Sequence, residues 1–250
     1  DTLWLRAHYP AAWYCGVLNN EPMGFYAPWV IVGDARRHGI KVLPVHINRS
    51  QAACTVEGGA IRLGFNYVEG LGETGAARLV AARPVGGYRD LADLCRRTRL
   101  ARRLVENLIL AGGMDEWGER RSLIWALGRL HYEEDLPLPA PPEDVALEPM
   151  TYAEELAGEY GVTGVSAEGH LLELFREQLE AAGVTGSQGL QRVRSGERVR
   201  VAGMVAVRQR PPTAKGFVFV TLEDEMGLIN LILAPDVADR YRRVLDRALL

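Results

Sequence analysis

Apolar residues recur at helical spacing through most of the chain and turn to two-residue alternation only toward its C-terminal end. DTLWLRAHY, PAAWYCGVLNN and PWVIVGDARRHGI read as helices, with Pro10 interrupting the first pattern, Pro28 suiting a first helical turn and Gly39 an end. KVLPVHINRS reads as extended, because Pro44 forbids a helix interior. From Cys54 to Gly118 short helices joined by tight glycine turns are expected, and RRSLIWALGRLHYEE adds an amphipathic helix. DLPLPAPPEDVALEPM is a Pro-rich, acidic linker, followed by two helical patterns around a Gly-rich turn. Then ERVRVAGMVAVRQR, GFVFVTLEDEMG and LINLILAP alternate or run apolar in short segments, predicting three antiparallel strands before the helical DVADRYRRVLDRALL. Such an arrangement reads as the first part of a five-stranded OB-type barrel; strands four and five are missing, so either the barrel is truncated or it is not an OB-fold.

Composition narrows the class. At 250 residues and 48% hydrophobic content the chain suffices for one large domain or two to three small ones. No apolar run reaches the length of a membrane span, and DTLWLRAHYP lacks the marks of a signal peptide, so a cytoplasmic protein with no membrane partner is expected. The three cysteines, Cys15, Cys54 and Cys95, are too scattered for a disulfide framework or a zinc site and read as buried thiols. All but two of the 29 basic residues are arginine, a bias of GC-rich coding that weakens arginine content as a sign of nucleic-acid binding. With no initiating Met and an opening that reads as the later part of a helix, the chain is expected to belong to something longer.

VEGLGETGAARLV carries the most specific local chemistry. A helix that ends in h-x-G-h-G and restarts at once leaves backbone N–H groups free at the start of the second helix to bond a phosphate oxygen. Gly70 and Gly72 permit positive φ and close approach, Leu71 pins the hairpin to the core, Ala76 lets the helices cross, Leu79 and Val80 close the interface, and Arg78 reaches an adjacent phosphate. TRLARRLVENLILAGGMD reads as a degenerate second copy, whose Arg96, Arg97, Arg99, Arg102 and Arg103 form the densest basic run, either a DNA contact or a solvated helix face. Phe217 and Phe219 share one strand face, with Lys215 before them and Arg208 and Arg210 on the preceding strand. They either stack unpaired bases or fill the barrel, and the need of a small barrel for bulky interior residues favours filling.

No catalytic constellation stands out. Glu223, Asp224 and Glu225 resemble a metal cluster but fall in a predicted hairpin turn, where acidic residues are ordinary. Glu133, Glu134 and Asp135 open the linker, and His8, His38, His46, His131 and His170 have no metal-ligand spacing. Neither catalytic residues nor a metal site is assigned to this chain.

The long stretch from Trp4 to Ser50 closely resembles the fingers region of bacterial C-family DNA polymerases, the DNA polymerase III alpha type. LNNEPMGFY and DARRHGIKVLP, with NRS after them, look most like the error-prone, damage-induced branch of that family. IRLGFNYVEGLGE resembles the tandem helix-hairpin-helix that follows the fingers, LILAGGMDEWGERRSLIWALG its exit helices, and RVRVAGMVAVRQRPPTAKGFVFVTLEDEMGLINLIL the OB domain. Two departures stand out: Gly169 and His170 are followed by Leu171 where many relatives have proline, and the glutamine-led clamp-binding peptide of the replicative branch has no convincing counterpart.

The resemblance implies an α+β multidomain fold, with helical fingers and tandem hairpins followed by a partial barrel. It assigns 1–53 to the end of the fingers, 54–135 to the tandem helix-hairpin-helix, 136–150 to the linker, 151–196 to a helical connector and 197–250 to the OB-fold, truncated after its helix. It implies a parent DNA-directed DNA polymerase performing translesion synthesis, with primer-template DNA, deoxynucleoside triphosphates, accessory translesion proteins and, indirectly, the sliding clamp as partners. Mg²⁺ would be held by palm carboxylates outside this segment. A fragment of the replicative subunit and a free-standing nucleic-acid-binding protein are the competing readings.

Overall fold

The computed structural model describes residues 2–22, 24–130 and 146–247. Helices α1 (Thr2–His8), α2 (Pro10–Asn19) and α3 (Pro28–Arg37) come first. A short strand β1 (Val42–Leu43) and a hairpin of β2 (Thr55–Glu57) and β3 (Ala60–Arg62) follow. Next come α4 (Gly72–Ala82), α5 (Leu91–Thr98), α6 (Arg102–Leu110), α7 (Arg120–Arg129) and α8 (Tyr152–Thr163). Beyond them are α9 (Arg176–Ala181), α10 (Ser187–Leu190), strands β4 (Met204–Gln209), β5 (Val218–Asp224) and β6 (Gly227–Leu233), and helices α11 (Pro235–Arg240) and α12 (Arg242–Arg247). The fold class is α+β, as expected.

The chain forms two compact units, one of residues 1–19 and 40–168, the other of 20–39 and 169–250. In the first, β1 pairs parallel and β2 antiparallel to β3, giving the order β1-β3-β2. This sheet corrects the expectation of helices alone after Cys54. Gly58 and Gly59, at φ +58° and +84°, turn the hairpin in the manner that two successive left-handed residues allow. As expected, the first helical pattern stops at His8 and a second helix starts at Pro10, with Tyr9 N–H donating to Leu5 and Trp13 N–H to Tyr9 across the break. The core gathers Ile61, Leu79, Leu94, Leu108, Ile109, Leu127 and Leu156, all fully buried. Two caps fix helix starts: Asp90 accepts from the Asp93 amide, and Thr151 with Glu154 forms a reciprocal capping box. Cys15, Cys54 and Cys95 are buried thiols outside any disulfide.

In the second unit β4-β5-β6 is an antiparallel meander with a bulge between Val205 and Val207. Val218, Val220, Leu222, Ile229 and Ala238 form its core. Three strands and a following helix agree with the start of an OB-type barrel, and no barrel is closed among the described residues. The first strand is shorter than predicted, beginning at Met204 rather than near Glu197. Of the expected linker only 146–150 is described, so most of it, with His131, Glu133, Glu134 and Asp135, lies outside the described residues. No helix among the described residues is long and apolar enough to cross a membrane.

Candidate nucleic-acid interface

The first hairpin enters through a single 3-10 turn, Phe65–Tyr67, rather than the full helix expected. Its bend depends on Gly70 and Gly72, at φ +75° and +60°, backbone space that L side chains avoid. A Cβ on Gly70 would also meet Leu104 at 3.3 Å, whereas one on Gly72 would meet nothing within 4 Å. Leu71 is buried against Gly75, where a Cβ would lie 2.8 Å from its side chain. Ala76 and Leu79 are fully buried, and Val80 is half-buried. The bend is tied at Glu69, whose N–H donates to Val162 at 2.7 Å and whose carbonyl accepts from Asn107 Nδ2 at 2.9 Å. Gly72, Glu73 and Thr74 are exposed, and their amides precede the first possible intrahelical acceptor. Arg78, one and a half turns on, is exposed and makes no ion pair among the described residues.

α5 and α6 repeat this design at a constant offset. Leu100, Val105 and Leu108 take the places of Leu71, Ala76 and Leu79, and all are buried. Arg99 stands where Gly70 does and adopts the same left-handed backbone, with φ +48°. The left-handed residue before the anchoring leucine thus recurs with its chemistry changed from glycine to arginine, whereas Ala101, in the place of Gly72, has φ −58° instead of +60°. The basic run divides in two. Arg96 Nη2 and Arg97 Nε donate to buried Asp93 at 2.6 and 2.9 Å, and Arg89 lies 3.7 Å away. Burial alone would raise the Asp93 pKa, but hydrogen bonds from Arg97, the Arg89 amide and Arg96 outweigh it and hold the carboxyl below its ordinary value. Arg99 and Arg102 are exposed without ion pairs among the described residues, and exposed Arg103 lies 3.8 Å from Glu69.

In the strand region the register settles the face of each residue. Phe217 and Phe219 are exposed, at 39% and 37%, while Val218, Val220 and Leu222 point into the core. The filling role expected for the two phenylalanines is therefore corrected: the smaller β-branched residues of the opposite parity fill the interior. Phe219 stands between Gln209 and Ile232, on the face that also carries Thr221 and Asn230. Arg208 pairs with Val220 and so belongs to the opposite face; exposed Arg210 follows the strand end, and exposed Lys215 turns the connection at φ +48°.

Glu223, Asp224 and Glu225 lead into the β5–β6 hairpin turn as expected, with Asp224 accepting from the Met226 and Gly227 amides, but they are not solvated. Glu223 and Asp224 are fully buried. Arg37 Nη1 donates to Glu223 at 2.6 Å, the Ser187 amide and hydroxyl donate to Asp224 at 2.6 and 2.5 Å, and Arg176 holds Glu225 through Nε and Nη2 at 2.6 and 2.8 Å. Gly33 makes room, since a Cβ there would lie 2.7 Å from Glu223 Oε1. Burial pushes Glu223 up to about 7 against the opposing pull of Arg37. Nearby His170, buried with Nε2 unpartnered, is pushed down to about 4 by the same desolvation. The carboxylate oxygens are thus held by two guanidiniums and Ser187, with Glu223 Oε2 alone left without a partner among the described residues.

The family described as the helix-hairpin-helix motif matches residues 39–124, a stretch that spans both bends. The particular relatives are bacterial error-prone DNA polymerases. The chain is 38% identical to that of Methylococcus capsulatus over 98% of this chain and 26% of the relative. It is 41% identical to that of Brucella abortus over 96% and 24%, and 40% identical to that of Corynebacterium diphtheriae over 96% and 23%. The chain is similar along almost its whole length to these error-prone DNA polymerases and spans about a quarter of the length of the curated relatives it matches.

Proposed function

We propose that this chain is the DNA-holding portion of an error-prone, DNA-directed DNA polymerase that copies damaged template in the bacterial cytoplasm. The observation that carries the reading is the paired bend, left-handed at both Gly70 and Arg99, with exposed first-turn amides and unpaired cations beside it. Gly70, Leu71 and Gly72 shape the backbone that meets a phosphate, and Arg78, Arg99, Arg102 and Arg103 add charge around it. Arg96 and Arg97 serve mainly to hold Asp93. Phe217 and Phe219 stack single-stranded template bases, with Arg210 and Lys215 near the strand backbone.

On this reading 1–53 ends the fingers, 54–135 is the tandem hairpin region, 136–150 links, 151–196 connects and 197–250 begins the OB module. Nucleotidyl transfer with deoxynucleoside triphosphates and Mg²⁺ belongs to acidic residues elsewhere in the parent, as do contacts with accessory translesion proteins and the clamp. No step of that reaction is assigned to residues here.

The test is a titration of the full chain with duplex DNA at several salt concentrations. Affinity is expected to fall linearly on a log–log scale, and Gly70→Val with Gly72→Val to weaken it about ten-fold or more. Unchanged affinity in a folded double variant assigns the hairpin a structural role only. Primer extension by this chain with Mg²⁺ would overturn the placement of the metal carboxylates elsewhere.

A further inference from the structure

A cavity of about 430 Å³ opens between α6 and α7, a volume within the range of small-molecule sites. Trp125, at 44% exposure, lines it. Arg121, Gly128 and Arg129 lie three or four residues from Trp125 and so share its helix face. Arg102, the first residue of α6, lies across Gly128, where a Cβ would come within 3.2 Å of its Nη2; the glycine admits the guanidinium to the rim. Arg121 is fixed by Glu154 at 2.8 Å, whereas Arg102 makes no ion pair among the described residues. Ile124 and Leu147 complete the lining, and no carboxylate is part of it among the described residues. An open indole lined together with the Arg102 guanidinium suits a planar ring joined to an anion.

We propose that this cavity takes one unpaired nucleotide of the bound DNA, its base against the Trp125 indole and its phosphate at Arg102. The inference rests on the DNA-holding reading and adds a site distinct from the amides of the first hairpin. An indole face accepts any base, so the site recognises the unpaired state and not the sequence.

The experiment compares the full chain on two duplexes with the same number of phosphates, one fully paired and one carrying a single internal unpaired 2-aminopurine. The unpaired duplex is expected to bind about ten-fold tighter, a ratio typical of one base-aromatic stack, with quenching of the 2-aminopurine. Trp125→Ala is expected to abolish the preference while leaving the paired duplex unchanged, and Trp125→Phe to restore part of it. Arg102→Ala is expected to weaken both and lower the salt slope by about 1. Equal affinities in the unmodified chain, or a preference that survives Trp125→Ala, overturn the proposal. Absence of binding to either duplex overturns it together with the DNA-holding reading, whereas binding without preference removes this inference alone.

Discussion

The hairpin pair and the three-stranded sheet present opposite chemistries. The hairpins offer exposed backbone amides and guanidiniums around bends held by neutral hydrogen bonds, such as Asn107 to the Glu69 carbonyl. The sheet offers two exposed phenylalanines, while its charge is drawn inside at the far strand end, where Arg37 meets a fully buried Glu223. A surface built for phosphate responds most to salt, whereas one built for rings responds to whether bases are unpaired, and neither reads sequence. The two regions should therefore separate experimentally, although one chain carries both.

The sharpest separation is expected from Phe217→Ala with Phe219→Ala. Each base stack is worth about 1–3 kcal/mol, so single-strand affinity should fall at least about ten-fold with its salt slope intact, while duplex affinity holds. A changed salt slope in a binding titration would erase the contrast. The next effect belongs to pH and to the sheet region alone. The Glu223 pKa is raised from 4.5 to about 7, so its contribution is fully present below pH 4.5 and lost as pH rises to about 7. The lost stability is of the order of 3 kcal/mol, from about 1.4 kcal/mol per pKa unit. His170, lowered from 6.5 to about 4, acts in the opposite sense and costs stability as pH falls through that interval. Glu223→Gln should therefore expose the rising His170 limb in denaturation midpoints measured from pH 4 to 8. An unaltered pH profile would remove the buried charge from the comparison.

Smaller effects test the hairpins. Asn107→Leu removes the tie to the Glu69 carbonyl and is expected to cost about 1–2 kcal/mol in chemical denaturation, with no dependence on pH. Arg99→Gly should act with opposite signs on two readouts. Relief of the left-handed strain raises stability by about 1 kcal/mol, while loss of the charge lowers the duplex salt slope by about 1. A variant that gains neither would mean the two bends are not equivalent.

Much of this was legible in the chain because its signals are local. Gly70, Leu71 and Gly72 specify a bend through backbone freedom and one apolar anchor, and the Thr151–Glu154 box marks its helix start within four residues. β2 and β3 escaped notice because three residues are too few to show alternation, although Gly58-Gly59 is a hairpin signal in its own right. The second bend was visible as a weak copy, but a left-handed arginine has no sequence signature. Glu223 was read as a turn residue because its partner Arg37 lies far away in the chain, and burial of a carboxyl depends on such a partner being brought to it.

Parity along β5 was determined by sequence alone: Phe217 and Phe219 had to share one face, and Val218, Val220 and Leu222 the other. Which face turned inward was decided only by the tertiary structure, because burial depends on what packs against a strand and alternation is symmetric between its two sides. The same division holds at the hairpins, where glycine identity sets the bend locally and only packing brings Asn107 to its carbonyl and Arg102 across Gly128 beside an open tryptophan.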